Sequence, residues 1–491
     1  MCRFVPLLFL MTFSAVAADP VSRPSVLHLR LDSAVRMALA KNFSIEAQRI
    51  EPRIARERLS GQLGQFDPRF LLSASAAENR QRAGLIAGRR APFDILGQNR
   101  SLRTSLGGLT PWGLSYDVGL GINSVSGNSY PFGEEYSANA GLSVVQPLLR
   151  GFGTDANLAQ VRIARTNILV SEWELRKRII DTITVTDFVY NELHLAHENL
   201  RVANRSRQLA LQLLADNSKR AEIGVMSPLN VTTARAEAAA RQESVILAQR
   251  QVKDNENLLK QLVSNDLERM LSVSVEIEPP LSPAFRADVR GGINEALTLR
   301  PDYRQALLEI HNRSISLAYS KDQALPRLDL TGSLHLLGFD SELGGSLAHG
   351  AGRDRTEWSA GAIFSVPIPN REGRAGVAAA QLSSAQALIN LQRLEQQVVV
   401  DVDNASGQIL TARERIGSTG EARALAKESL DAGEERLRTG TGTTFEVLEL
   451  QKRLIEAEVA GLRAGADYNK AVAEYHRQTG TTLKVYGVVV E

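Results

Sequence analysis

Apolar residues recur along this chain with two periods, seven and two, and blocks of the two kinds alternate. Between 154 and 216, Val161, Ile168, Leu175, Val189, Ala196, Ala203 and Ala210 fall on one seven-residue series, with Thr182 its one polar member. A patchier second seam runs through Ile179, Leu193, Leu200 and Leu214. Segment 229–264 repeats the pattern at Val231, Ala238, Val245, Val252 and Leu259. Segment 371–437 does so at Val377, Leu391, Val398, Ala405, Ala412 and Ala426, and segment 444–479 at Val447, Leu454, Tyr468 and Tyr475. Sustained heptads wind helices into left-handed seams. The 63 residues of 154–216 and 67 of 371–437 contain no proline and exceed ordinary globular helices.

The other blocks have period two. Leu114, Tyr116, Val118, Leu120 and Ile122 alternate with Ser115, Asp117, Gly119 and Gly121, and Ala138, Ala140, Leu142 and Val144 alternate likewise. Such alternation predicts half-buried strands, here at 70–77, 101–107, 113–123 and 136–146 within a β-region spanning 69–147. A second β-region, 327–367, offers strands at 327–338 and 356–367 joined by a Gly-rich loop at 338–355. A shorter helix precedes each region, at 32–64 with Asp32 as N-cap and at 290–324.

The alternation is a duplication. Sliding the chain by 258 residues aligns Ala38 and Leu39 with Ala296 and Leu297, Glu51 with Glu309, Leu59 with Leu317, Pro68 with Pro326 and Ser75 with Ser333. A register of 220 matches Gly141 and Pro147 to Gly361 and Pro367, and one of 216 matches Gly224 and Val231 to Gly440 and Val447. Internal repeats take precedence in assigning a fold. The expected organisation is a signal at 1–18, a first repeat at 19–264, a connecting segment at 265–289, a second repeat at 290–479 and a tail at 480–491. Each repeat holds a long helical hairpin, 154–264 and 371–479, whose turn has a helix-stopping glycine, Gly224 or Gly440, and a Ser/Thr cap. Stacking each short helix end to end on the shorter arm equalises the arms at roughly 100 Å, from the helical rise. A lone sheet of about six strands would leave open edges, so the chain must oligomerise around an axis.

Composition narrows the function. Fifty-seven basic and 55 acidic residues are interspersed, which supplies no basic stripe for nucleic acid. Arg3, the apolar run Phe4 to Val16 and the small residues Ala15 to Ala17 form a secretory signal. The single cysteine, Cys2, falls inside it, so no disulfide or cysteine metal site is expected. Beyond it no apolar run is long enough for a spanning helix, whereas alternating strands suit a membrane barrel. No catalytic constellation emerges, so no enzyme activity, cofactor or metal is expected. His194 and His197, three apart beside Glu192 and Glu198, read as a solvated helix face rather than a metal site. Gly151, Phe152 and Gly153 are a fragment of a phosphate-loop pattern that a turn explains.

In this arrangement the chain resembles the TolC family of outer-membrane efflux ducts, from about Leu31 to Leu483. The resemblance is carried by the turns Ile223-Gly224 to Asn230-Val231 and Thr439-Gly440 to Glu446-Val447-Leu448. The strand exits Val145 to Leu148 and Val366 to Ile368 add to it. It implies a mainly α fold with membrane β: long coiled-coil hairpins forming an α-barrel, plus an outer-membrane β-barrel shared by a homotrimer. It also implies a periplasmic adaptor (a membrane fusion protein) and an inner-membrane pump of RND or ABC type as partners. Arg- and Ser-rich loops at 78–103 and 338–355 suit the extracellular side, and Trp112 and Trp358 suit either membrane interfaces or simple packing.

The family's usual protomer has four strands, so the first β-region is either a larger wall or a hairpin outside it; a conventional barrel with elaborated loops is the favoured expectation. Glu446 and Glu449 sit one turn apart on one helix face, at positions where the family carries aperture-lining acids. Threefold repetition would make a ring of carboxylates, and such rings select cations. Val225, Ser227, Pro228, Leu229, Thr441, Gly442 and Thr443 are the expected adaptor-docking tips. Relatives latch the two turns with a basic–acidic pair; Gly442 and Asn230 stand there, so that latch is expected to be absent. The alternative function is a periplasmic coiled-coil adaptor or scaffold of an export complex.

Overall fold

The heptad blocks fold as two long helical hairpins, and the period-two blocks join in one sheet at their far end. The structure, a computed structural model, describes residues 26–82, 85–86, 89–90, 94–128, 133–281, 284–352 and 355–490. The expected signal, 1–18, lies outside the described residues. The first repeat contains β1 (Val26–Leu29), α1 (Leu31–Lys41), α2 (Phe43–Leu63) and β2 (Arg69–Arg82). The two-residue strands β3 (Leu85–Ile86) and β4 (Arg89–Arg90) follow, then β5 (Asp94–Leu109), β6 (Ser115–Gly127) and β7 (Glu134–Pro147). After α3 (Thr154–Asn157) come the hairpin arms α4 (Ala159–Glu222) and α5 (Pro228–Val263), then α6 (Leu267–Leu271) and β8 (Ser274–Ile277). The second repeat runs α7 (Val289–Leu299), α8 (Pro301–Gln323), β9 (Arg327–Asp340), α9 (Leu343–Ala351) and β10 (Thr356–Ser365). It ends with the arms α10 (Arg371–Arg438) and α11 (Thr444–Thr479), and α12 (Thr482–Val485). Among the described residues no helix is long and apolar enough to cross a membrane.

The helices pack side by side as four columns: α2 with α5, then α4, then α8 with α11, then α10. Heptad positions fill the seams. Val245, Leu259, Val398, Ala405, Val447 and Tyr468 are buried. Apolar side chains on the outer sides of the end columns remain uncovered, among them Leu247, Leu258, Leu382, Ile389 and Leu410.

Neither short helix is continuous, contrary to the expectation for 32–64 and 290–324. Each breaks once, at Asn42 and at Arg300, where the backbone turns extended (φ −74°, ψ 120° and φ −64°, ψ 125°). These are the same repeat position, 258 residues apart. Asn42 caps α2 by accepting from the Ser44 amide at 2.9 Å, and its Nδ2 donates to the Leu262 carbonyl at the end of α5. Arg300 donates to the Gln478 side chain at 3.0 Å near the end of α11, and Pro301 pre-sets the start of α8. The break lets each short helix stack on the end of a shorter arm.

The sheet is fully antiparallel, in the order β10-β9-β7-β6-β5-β2. The sheet has six strands where a four-stranded wall was the favoured expectation: β5 pairs with β6 from Gly97 to Leu109, so the first hairpin continues the sheet. The hairpins repeat in register too. Ser75 and Ser101 face each other at 2.7 Å, and Ser333 and Ser359 at 2.8 Å, both pairs 26 residues apart. The registers 258 and 220 that match the leading and trailing strands differ by 38 residues, about the length of one extra hairpin. One row across all six strands reads Phe70, Leu106, Val118, Leu142, Leu334, Trp358, every member exposed. The adjacent row on the opposite face reads Arg69, Gly107, Asp117, Ser143, Ser333, Ser359. The Gly-rich 338–355 stretch, expected as a loop, contains α9, whose backbone passes close over Gly338.

A belt crosses the middle of the helical layer. β1 and β8 pair in parallel, Leu29 opposite Ile277. The buried Tyr190 hydroxyl lies 2.7 Å from the Glu278 carbonyl and 3.0 Å from that of Leu29. Tyr475 donates to the Asp288 carbonyl at 2.8 Å in the second repeat. Residues 480–490 of the segment expected as a tail, 480–491, fold back: Leu483, Tyr486 and Val488 pack on Leu175, Ile179 and Ile183 of α4. Tyr486 donates to Asp187 at 2.5 Å.

Candidate functional site

The end of the helical layer remote from the sheet is formed by the two hairpin turns. Gly224 and Gly440 have φ of +77° and +80°, and a Cβ at either would meet no atom within 4 Å. Conformation, rather than space, selects glycine there. Both turns close alike. Val225 N donates to Arg220 O and Gly224 N to Ala221 O, while Thr441 N donates to Arg436 O and Gly440 N to Leu437 O, the paired bonds of a Schellman stop. The next helices are then capped: the Ser227 hydroxyl accepts from Leu229 N and that of Thr443 from Glu446 N.

Val225, Ser227, Pro228, Leu229, Thr441 and Thr443 are exposed at these tips, and Gly442 is half-buried. A Cβ on Gly442 would lie 3.0 Å from the Leu437 amide nitrogen, so this glycine lets the turn fold tightly on α10. Four large apolar side chains crown the tips: Ile223, Val225, Leu229 and Phe445, each more than two-thirds exposed. Sequence reasoning had singled out neither Ile223 nor Phe445 for docking. The available signal was an apolar residue within two positions of a helix stop or cap, where no core can receive it.

Glu446 and Glu449 are half-exposed on one face, but neither stands alone. Arg436 holds Glu446 at 2.5 Å and Arg453 lies 3.4 Å from Glu449. Arg438 bonds Glu435 at 2.7 Å and keeps that carboxyl below the usual range. The arginines were not foreseen, because Arg436 meets Glu446 only once the turn is formed. The two hairpins are also tied together near the tip. Arg220 Nη1 donates to the Leu437 carbonyl at 3.3 Å, and Asn217, fully buried, lies 3.5 Å from the Thr444 hydroxyl. One bond from the Arg220 guanidinium and one between neutral side chains thus join the two hairpins near the tip.

Farther from the tip, ion pairs cross the same seam. Glu192 of α4 meets Lys470 at 2.5 Å and Arg463 at 3.3 Å of α11, and Glu458 lies between Arg205 and Arg423. His194, on this stretch, has its pKa lowered by burial. No group of three His, Cys, Asp or Glu side chains gathers as a metal site among the described residues. Gly151 and Gly153, with φ of +81° and +83°, form the turn from β7 into α3, with Gly151 N donating to Asp322 at 2.9 Å.

Comparison with known proteins gives a consistent picture. The model of the family described as outer membrane efflux protein matches residues 113–265 and 292–481. Nodulation protein T of Rhizobium leguminosarum bv. trifolii is 28% identical over 199 residues, 39% of this chain and 40% of that protein's length. Outer membrane efflux protein BepC of Brucella suis biovar 1 (strain 1330) is 23% identical over 69% of this chain and 71% of its own. Among solved structures, the CmeC outer membrane channel of Campylobacter jejuni superposes with a TM-score of 0.70 at 18% identity, covering 92% of this chain and 86% of that one. At such identity the likeness is one of fold.

Proposed function

The chain belongs to the outer membrane efflux protein family, and from that premise we propose that three copies form a channel-tunnel for export across the periplasm and outer membrane. The observation that carries this reading is the continuity of two unlike layers. A sheet with an exposed apolar row on one face and a polar row on the other runs directly into helices of 64 and 68 residues. At 1.5 Å per residue those helices reach roughly 100 Å, a periplasmic span. Uncovered apolar side chains on the outer columns, Leu247 and Leu382 among them, support association with further copies.

In this reading the hairpin tips meet a periplasmic adaptor, itself joined to an inner-membrane pump that supplies the energy. Ile223, Val225, Leu229 and Phe445 offer it an apolar surface between polar turns. Six carboxylates, Glu446 and Glu449 from each copy, would ring the aperture. Because Arg436 and Arg453 accompany them, the ring's pull on cations is moderated rather than strong. No chemistry on the cargo is assigned to the chain.

Density-gradient fractionation of expressing cells tests the location: banding with outer membrane is expected, and a soluble periplasmic pool would return the adaptor-scaffold reading. Glu446→Ala with Glu449→Ala tests the ring in planar bilayers. Cation preference should fall; an unchanged ratio of cation to anion current refutes it.

A further inference from the structure

The helical layer and the sheet are mismatched in number, and the mismatch has a definite place. Four strands each continue one helical column: β10 leads into α10, β9 follows α8, β7 leads towards α4 and β2 follows α2. The hairpin of β5 and β6 continues none; it lies between β7 and β2 in the sheet. Two arrangements could accommodate it. Either the β2–β5 hairpin stands outside a four-stranded wall that ends at β6, or all six strands form the wall.

The register decides. The exposed apolar row Phe70, Leu106, Val118, Leu142, Leu334, Trp358 passes through β5 and β6 without a break. The row two residues on, Leu72, Thr104, Leu120, Ala140, Leu336, Thr356, carries no charge on the same face. On the opposite face Arg103 of β5 pairs with Asp117 of β6 at 2.8 Å. Apolar-out and polar-in alternation is the requirement for a wall between lipid and a watery lumen. A hairpin outside that wall has no use for it.

The open edges point to the occupant. β2 and β10 end the sheet, while the α2–α5 and α10 columns end the helical layer. β2 follows α2 and β10 precedes α10, so both layers are open on the same two sides, and one rotation closes both. Six strands, alternating in direction, leave β2 and β10 antiparallel to each other, as identical copies need to continue an antiparallel sheet. Unpaired edge amides cannot remain in lipid.

We propose that β2 of one copy pairs antiparallel with β10 of the next, and that the β5–β6 hairpin is in the wall. The closed barrel of the trimer then has eighteen strands rather than twelve. Barrel diameter grows roughly linearly with strand number, so the lumen is about half again as wide as a twelve-stranded one. This rests on the trimeric channel reading given above.

Disulfide mapping in outer membranes of cells expressing the full chain tests it. Ser73→Cys, Ser75→Cys and Ala77→Cys on β2 are each combined with Ser359→Cys on β10, and Asn123→Cys on β6 with the same partner. Oxidation of at least one β2 pair should shift the chain from one-chain to three-chain mobility on a non-reducing gel. A trimer locked through the β6 pair instead overturns the eighteen-stranded wall while leaving the trimer standing. A two-chain limit species, or no intersubunit bond from either strand, overturns both. Should the substituted chains fail to insert, strands counted in a transverse section of the wild-type particle by electron cryomicroscopy decide: eighteen expected, twelve contradictory.

Discussion

Asn42 and Arg300 occupy one position of the two repeats and perform one backbone task with different chemistry. Each interrupts a short helix and reaches the end of the shorter arm. Asn42 does so with a neutral amide that caps its own helix. Arg300 does so with a guanidinium bonded to Asp302 at 2.7 Å and Asp401 at 3.1 Å. The repeats thus share the bend and not the bond. A duplicated fold keeps the geometry that closes its rods, and the halves are free to diverge in how polar groups are satisfied.

The largest effect should separate these two residues. Arg300→Ala leaves Asp302 and Asp401 half-buried without their cation, a loss of about 3 kcal/mol. Asn42→Ala removes one cap, about 1 kcal/mol. Denaturant unfolding of the detergent-solubilised protein reads both; equal losses would show that the repeats depend on the bond alike.

A second contrast is one of burial. Asp187 and Asp403 correspond at the 216 register, but the C-terminal segment exists once and covers only the first. Burial pushes the Asp187 carboxyl up to about 6, against hydrogen bonds from Tyr486 and Asn191 that favour its charged form. A raised carboxylate pKa means that the stabilisation is complete below the unfolded value, near 4, and is lost as pH rises through about 6. The wild-type chain should therefore gain on the order of 2 kcal/mol between pH 7.5 and 4.5 from this group. Asp187→Asn should abolish that gain in pH-dependent thermal unfolding, and Asp403→Asn, on an exposed site, should leave it intact. Parallel curves for all three chains would contradict the assignment.

The smallest contrast is an expected equality. Gly224→Ala and Gly440→Ala each force a side chain into left-handed backbone with free space around it, so each should cost about 1 kcal/mol. A much larger loss at one turn would reveal packing that only the assembly supplies.

Much of this architecture was legible in the sequence because its signals are periodic and local. Heptads marked the arms, period two marked the strands, and Gly224 and Gly440 marked the turns. The break at Arg300, contrary to the continuous helix expected there, had a signal in Pro301, since a residue before proline leaves helical backbone. Pro52 lies inside α2 without ending it, so proline alone does not decide the matter. Features set by distant partners were invisible. Tyr486 meets Asp187 across 299 residues, and Asn217 meets Thr444 across 227. The place of β5 and β6 was equally hidden, because alternation reveals a strand's faces but not its neighbour.

Electron cryomicroscopy of the detergent-purified wild-type particle tests the central claim most directly. The account predicts a threefold cylinder with a membrane-embedded β section and a helical section near 100 Å, the span that helical rise gives the long arms. A monomer, or an asymmetric bundle without an embedded barrel, would contradict it.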